Sequence, residues 1–160
     1  INRKYPISGF KLNSFKYSLE ESDTTRAFEE ITMSISRYAS RTGNRMFVKV
    51  NPFGGLSSIP TKNNNRKNDL VINTNRTHID NLVFTIPEGY RVEALPREVD
   101  VITKFGSIKV TYSLENNKFN YHRVFTLTQQ RLPPSEFNGF VDFLIEANRA
   151  DSQSFVLVAL

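Results

Sequence analysis

The chain has 160 residues, with 21 Lys and Arg against 16 Asp and Glu, for a formal net charge of +5. That length favours one domain with a sizeable core, and 39% hydrophobic with 12% aromatic content excludes a disordered chain. Cysteine is absent, which excludes disulfides, thiolate metal sites and a cysteine nucleophile in this polypeptide.

No stretch reaches the roughly 18 to 20 continuous apolar residues of a transmembrane helix. The first residue is Ile1, and Ile1–Tyr5 lacks the apolar run of a secretory signal. The sequence therefore reads as a processed product or a piece of something larger. Residues 1–9 are expected to be a linker remnant, ahead of one domain over 1–160.

From Phe10 onward, period-two alternation dominates the chain. Phe10-Lys11-Leu12 and Phe15-Lys16-Tyr17-Ser18-Leu19 alternate apolar with polar, as a strand does with one face on a core and one in water. Glu20-Glu21-Ser22-Asp23 reads as a turn or loop. The alternation resumes at Ile31-Thr32-Met33-Ser34-Ile35-Ser36-Arg37-Tyr38, which argues against a helix over Phe28–Tyr38. Thr42-Gly43-Asn44 then separates this run from Met46-Phe47-Val48-Lys49-Val50, so a hairpin joining the two runs is expected. Residues 51–69 lack periodicity, carry Pro52, Gly54, Gly55, Pro60 and the tract Asn63-Asn64-Asn65-Arg66-Lys67-Asn68, and read as a mobile loop.

Strand character returns at Leu70-Val71-Ile72 and Leu82-Val83-Phe84-Thr85-Ile86. The next three residues, Pro87-Glu88-Gly89, fit a type I turn, with Pro at its second and Gly at its fourth position. Val99–Thr103, Ile108–Tyr112 and Phe119–Leu127 are alternating runs separated by Phe105-Gly106-Ser107 and Asn116-Asn117-Lys118, an antiparallel meander. One segment has helical period, over about 135–148. Ser135 is placed to cap it and Glu136 sits in its first turn, while Phe137, Phe140, Val141, Leu144 and Ala147 share a face. Gly139 weakens this helix by about 1 kcal/mol relative to Ala. Ser154-Phe155-Val156-Leu157-Val158-Ala159-Leu160 closes the chain as a strand buried on both faces. The fold class expected is mainly β, an antiparallel β-sandwich of about eight strands with one helix near the C-terminus.

The residue chemistry excludes more than it assigns. His78 and His122 lack a second His or a carboxylate at ligand spacing, so no metal or other cofactor is expected. Glu20-Glu21 and Glu29-Glu30 are adjacent pairs that a strand points to opposite faces, which does not make a glycosidase pair. Phe53-Gly54-Gly55 lacks the lysine and helix of a phosphate loop. Asn75-Arg76-Thr77 is a glycosylation tripeptide with no further support. The basic residues are scattered and most Phe lie in phase with buried strand faces, so nucleic acid is not an expected partner.

One residue breaks its pattern: Arg123 is in phase with Phe119, Tyr121, Phe125 and Leu127 on a face otherwise apolar. A buried arginine must be paired. The two readings are a structural role, as an ion pair or at a sheet end, and, with Tyr121, an anchor for an acidic or planar ligand; the structural role is preferred.

A motif order in the second half then carries a resemblance. Arg66-Lys67-Asn68-Asp69 precedes a strand ending in Ile86-Pro87-Glu88-Gly89-Tyr90-Arg91-Val92-Glu93-Ala94-Leu95-Pro96. Tyr121-His122-Arg123, Pro133-Pro134-Ser135-Glu136-Phe137 and Ala150-Asp151-Ser152-Gln153-Ser154-Phe155-Val156-Leu157 come after it in that order. From Phe10 to Leu160 this resembles the C-terminal β-rich domain, of unknown function, of multidomain transglutaminase-like proteins and cysteine-protease homologues of Gram-negative bacteria. The resemblance implies an accessory domain that packs on upstream domains of its own polypeptide or engages substrate, and export to the periplasm or cell surface. The family's catalytic Cys-His-Asp belongs to the core domain, so no catalytic residue transfers to this chain. The alternative is a free-standing envelope module that binds a polysaccharide or peptide through Tyr and Phe on an exposed sheet face.

Overall fold

A computed structural model of the chain describes residues 9–21, 26–54, 56 and 58–160. The linker read at 1–9 (Gly9 apart) and the turn residues Ser22 and Asp23 lie outside them. Among the described residues twelve strands form in chain order: β1 (Phe10–Glu20), β2 (Arg26–Ile35), β3 (Ser40–Thr42), β4 (Arg45–Lys49), β5 (Leu70–Ile72), β6 (Arg76–Thr85), β7 (Tyr90–Ala94), β8 (Val99–Thr103), β9 (Gly106–Glu115), β10 (Lys118–Leu127), β11 (Gln130–Leu132) and β12 (Ser154–Ala159). The helix α1 spans Phe137–Asp151 between β11 and β12. All pairings are antiparallel. There are two four-stranded sheets, β6-β10-β9-β8 and β3-β4-β12-β7, and two separate two-stranded ribbons, β1-β2 and β11-β5. The fold is mainly β with one helix, as the alternation implies.

The two large sheets meet through aromatic side chains. Phe119 on β10 stacks on Phe155 of β12 with ring centroids 4.3 Å apart, and Phe84 of β6 meets Phe155 edge-on at 5.3 Å. The helix closes one side of the core. Phe143 stacks on Phe125 at 5.8 Å, and Phe140 meets Phe105 at 5.6 Å. Val141, Leu144, Ala147 and Ala150 complete the buried face of α1.

Local chemistry explains the meander. Asn116 and Asn117 take φ of 49° and 60° as the two central residues between β9 and β10, a type I′ turn that asparagine tolerates. Gly106 sits where a Cβ would lie 2.0 Å from the Thr126 carbonyl oxygen, so only glycine lets β9 approach β10 there.

Several expectations are corrected. The hairpin turn at Gly43-Asn44 exists, but its first arm is the three-residue β3. The run read as Ile31–Tyr38 is strand only to Ile35 and pairs instead with β1; the left-handed Arg37, φ 60°, lies just beyond its end. The turn at Pro87 runs one residue later than expected. Tyr90 N–H donates to the Pro87 carbonyl at 3.2 Å and Gly89 has φ 77°, so glycine occupies the third, left-handed position of a type II turn. Ser135 does not cap the helix; it lies inside a 3-10 turn over Pro134–Glu136 that leads into Phe137. The helix runs three residues beyond 148, to Asp151.

The loop between β4 and β5 is anchored rather than free. Asn63 N–H donates to Asn138 Oδ1 at 2.8 Å, Asn138 Nδ2 donates to Asn64 Oδ1 at 2.7 Å, and the Arg66 guanidinium lies 4.2 Å over the Phe137 ring. Asn63 and Asn64 thus tie the loop to α1 through Asn138.

The β1-β2 ribbon alternates as read, but its apolar residues do not reach the core. Phe15 is 50% and Tyr17 57% exposed, and no described residue of 10–35 joins the core cluster.

Candidate functional site

β10 is the central strand around which polar groups gather. Its period turns Phe119, Tyr121, Arg123 and Phe125 inward. Arg123 is only 5% exposed. Its partner in register on β6 is Asp80, and Arg123 Nη1 donates to Asp80 Oδ2 at 2.9 Å. From the last residue of α1, Asp151 presents its carboxylate to the same guanidinium. Arg123 Nη2 donates to Asp151 Oδ2 at 2.9 Å, and Nε lies 2.6 Å from Asp151 Oδ1 in a charge contact too poorly aligned to count as a hydrogen bond. Arg123 also lies 5.2 Å from the Phe125 ring centroid.

Asn51, just past the end of β4, completes the cluster. Its Oδ1 accepts from the backbone N–H of Phe53 at 3.2 Å and of Gly54 at 2.7 Å, which turns the chain sharply. Its Nδ2 donates to Tyr121 Oη at 3.3 Å and to Asp80 Oδ2 at 3.4 Å. A Cβ at residue 54 would sit 2.0 Å from that Nδ2, so glycine is required against the amide. Tyr121 Oη in turn donates to Asp151 Oδ1 at 3.5 Å.

Burial sets the electrostatics. Asp151 is 2% exposed, and desolvation pushes its carboxyl up against the opposing pull of Arg123. Tyr121 is pushed well above the ordinary phenol range by burial first and by the Asp151 charge second. Asp80 is partly solvated, with 31% of its side chain exposed, so one end of the triad reaches water. Beside it opens a hollow of about 240 Å³, walled by Phe53, Gly54, Arg76, His78 and Phe125 as well as Asp80 and Arg123.

Chemically this arrangement is a clamp. One guanidinium is shared by two carboxylates, which leaves it little capacity to hold an acidic ligand. The geometry is that of the structural ion pair, and it ties together β6, β10, α1 and the loop after β4. Tyr121 and Arg123 are therefore together, as their spacing requires, but both are inside. His78 and His122 are not brought together. His78 faces Phe125 on the inner side of the sheet, with ring centroids 6.5 Å apart, whereas His122 lies on the outer side, its Nδ1 2.7 Å from Asn81 Oδ1. Among the described residues no three His, Cys, Asp or Glu side chains cluster as metal ligands.

Sequence reasoning missed Asp80, Asp151 and Asn51. The first two carried a readable signal. Asp80 is in phase with Leu82 and Phe84 on β6, and Asp151 lies seven residues after Leu144 on the apolar face of α1. Both are pattern breakers of opposite sign to Arg123. Asn51 carried none, because its role depends on where the turn after β4 arrives.

The outer face of the β6-β10-β9-β8 sheet exposes Ile79, Val83 and Ile102 but no Tyr or Phe. The exposed aromatics include Phe15, Tyr17 and Phe28 on the β1-β2 ribbon. Among the described residues no helix is long and apolar enough to cross a membrane.

No curated protein sequence matches the chain. Its fold is similar to the crystal structure of a putative protease from Parabacteroides distasonis, with a TM-score of 0.51 and 18% identity. The similarity covers 61% of this chain but only 19% of that one, and at that identity it speaks to the fold alone. Residues 44–157 match the profile of a domain of unknown function with a solved structure, DUF3858. That match takes in the clamp, most of the two large sheets and the helix, and the chain belongs to the DUF3858 family.

Proposed function

We propose that the chain is a non-catalytic accessory domain of a larger transglutaminase-like protein, one that packs on the catalytic core or helps it engage a protein substrate. The observation that carries this reading is the extent of the structural likeness: the matching part is about a fifth of a much longer chain described as a putative protease. Two features of this chain support it. There is no cysteine to act as nucleophile, and the charged cluster, whose reactive groups face one another, works as a fastener. The motif order ending in the Ala150–Leu157 segment points to the same parent, and through it to the periplasm or cell surface.

The complete coding sequence and the mass of the native polypeptide test the reading. A transglutaminase-like core with its Cys-His-Asp on the same chain is the expected result. A native product of about 18.4 kDa with no such core would refute it. Fractionation of cells is expected to place the polypeptide outside the cytoplasm.

Exposed Phe15 and Tyr17 favour, as a second reading, an envelope module for a polysaccharide or peptide. Glycan and peptide arrays decide that version; no binding on either would end it.

A further inference from the structure

The β1-β2 ribbon is amphipathic to an unusual degree for an element outside the core. Residue pairing places Phe10, Leu12, Phe15, Tyr17 and Leu19 opposite Ile35, Met33, Ile31, Glu29 and Ala27. The register shifts between Leu12 and Ser14, so Asn13 is a bulge. That extra residue keeps Leu12 and Phe15 on one face although they are three apart in sequence. The opposite face carries Lys11, Lys16, Ser18, Glu20, Glu30, Thr32 and Ser34, with Phe28 its exception. A two-stranded ribbon is at best marginally stable alone in water. The apolar face, interrupted by Glu29 opposite Tyr17 but kept in phase by the bulge, calls for a cover.

We propose that this face is the surface by which the domain docks on another domain of the same polypeptide; the inference rests on the accessory-domain reading above. Size selects this occupant over a second copy. The 11 residues of β1 give a ribbon about 35 Å long at about 3.3 Å per residue. Two strands with their side chains are about 10 Å wide, a footprint of about 350 Å² a side and about 700 Å² in all. Inter-domain interfaces within one chain span about 600–1,500 Å², whereas a stable free complex buries about 1,200 Å² or more. A patch of this size holds when its partner is tethered, since a linker supplies an effective concentration in the millimolar range. The similar structure has such partners available, with about four-fifths of its chain outside the match. The ribbon also lies ahead of the segment that matches the family profile, residues 44–157, whose core is closed without it.

Hydroxyl-radical footprinting of the complete native polypeptide and of the 160-residue chain, read by mass spectrometry, tests this. Phe15 and Tyr17 pass from about half exposed to buried, so their labelling is expected to fall by about tenfold in the complete polypeptide relative to the isolated chain. Equal labelling in the two, with further domains present, overturns the docking inference and leaves the accessory reading standing. Protection in the isolated chain that grows with its concentration assigns the face to a second copy and overturns it as well. Protection of the complete polypeptide that requires added glycan or peptide gives the face to a ligand, with the same result. A coding sequence without further domains defeats both readings at once. Separately, the double substitution Phe15→Lys and Tyr17→Lys is expected to restore labelling of Leu12 and Leu19 in the complete polypeptide without changing the labelling of Phe119.

Discussion

At the scale of the residue, the informative side chain is the one that violates its strand. Arg123 stands where Val or Phe would satisfy β10, and its burial is tolerated because two carboxylates and an aromatic face meet it. Removing one member leaves the others desolvated and unpaired, which costs more than the pair itself contributes. Arg123→Met is accordingly expected to lower stability by about 3–5 kcal/mol in urea unfolding at neutral pH. Adding Asp151→Leu should recover part of that loss, since no orphan charge then remains beside the helix. A loss below about 1 kcal/mol for the single change would mean that the cluster is not desolvated. The phenols supply a pH test. Burial raises Tyr38 and Tyr112 from 10.0 to about 12, and Tyr121 further. Because the folded state favours the protonated phenol, this contribution is complete below pH 10 and is lost as pH rises through about 12. Absorbance titration should show these phenols ionising together with unfolding, not before it.

Elements are decided by period first and by context afterwards. The meander of β8, β9 and β10 forms as its alternation and turn residues require, and the Asn116-Asn117 turn supplies the backbone geometry that a two-residue hairpin demands. The helix also follows its period, yet its cap does not. Pro133-Pro134 draws the chain into a 3-10 turn, which takes Ser135 out of the capping position. Gly139 within this helix faces Phe105, and a Cβ there would meet the ring at 3.5 Å, an ordinary van der Waals contact. Gly139→Ala is therefore expected to raise stability by about 0.5–1 kcal/mol, measured as a higher urea midpoint with an unchanged slope. Gly106→Ala should do the reverse and lower the midpoint, because the obstacle is the Thr126 backbone, which cannot swing away.

Across the whole molecule, stability is unevenly distributed. The core closes around Phe119, Phe155 and the inner face of α1, and the described residues of the β1-β2 ribbon add nothing to it. Phe119→Ala is expected to cost about 3–5 kcal/mol through the cavity it opens. Phe15→Ser in the isolated chain should change stability by less than about 0.5 kcal/mol. If the two changes prove comparable in thermal unfolding, the ribbon is part of the core and its face is not free. The same contrast underlies the docking proposed above: the charged groups of the cluster are paired with one another, whereas the apolar face of the ribbon is open.

Sequence alone determined the class of this protein. Alternation of period two, one segment of period near 3.6 and the absence of cysteine establish a mainly β chain with one helix and no thiol chemistry, because side-chain periodicity and residue chemistry are local properties. It also marked Arg123, since a charge in an apolar phase is visible within a single strand. Tertiary structure decided what Arg123 meets. Asp80 and Asp151 lie 43 and 28 residues away; each breaks the apolar phase of its own element, but no local pattern assigns them to Arg123. Tertiary structure also decided which strands pair, so that the run ending at Ile35 joined β1 rather than β4. The apolar face at Phe15 and Tyr17 reads in sequence like any core strand. Whether a core exists to receive it is a property of the assembled fold, and here that face stays open.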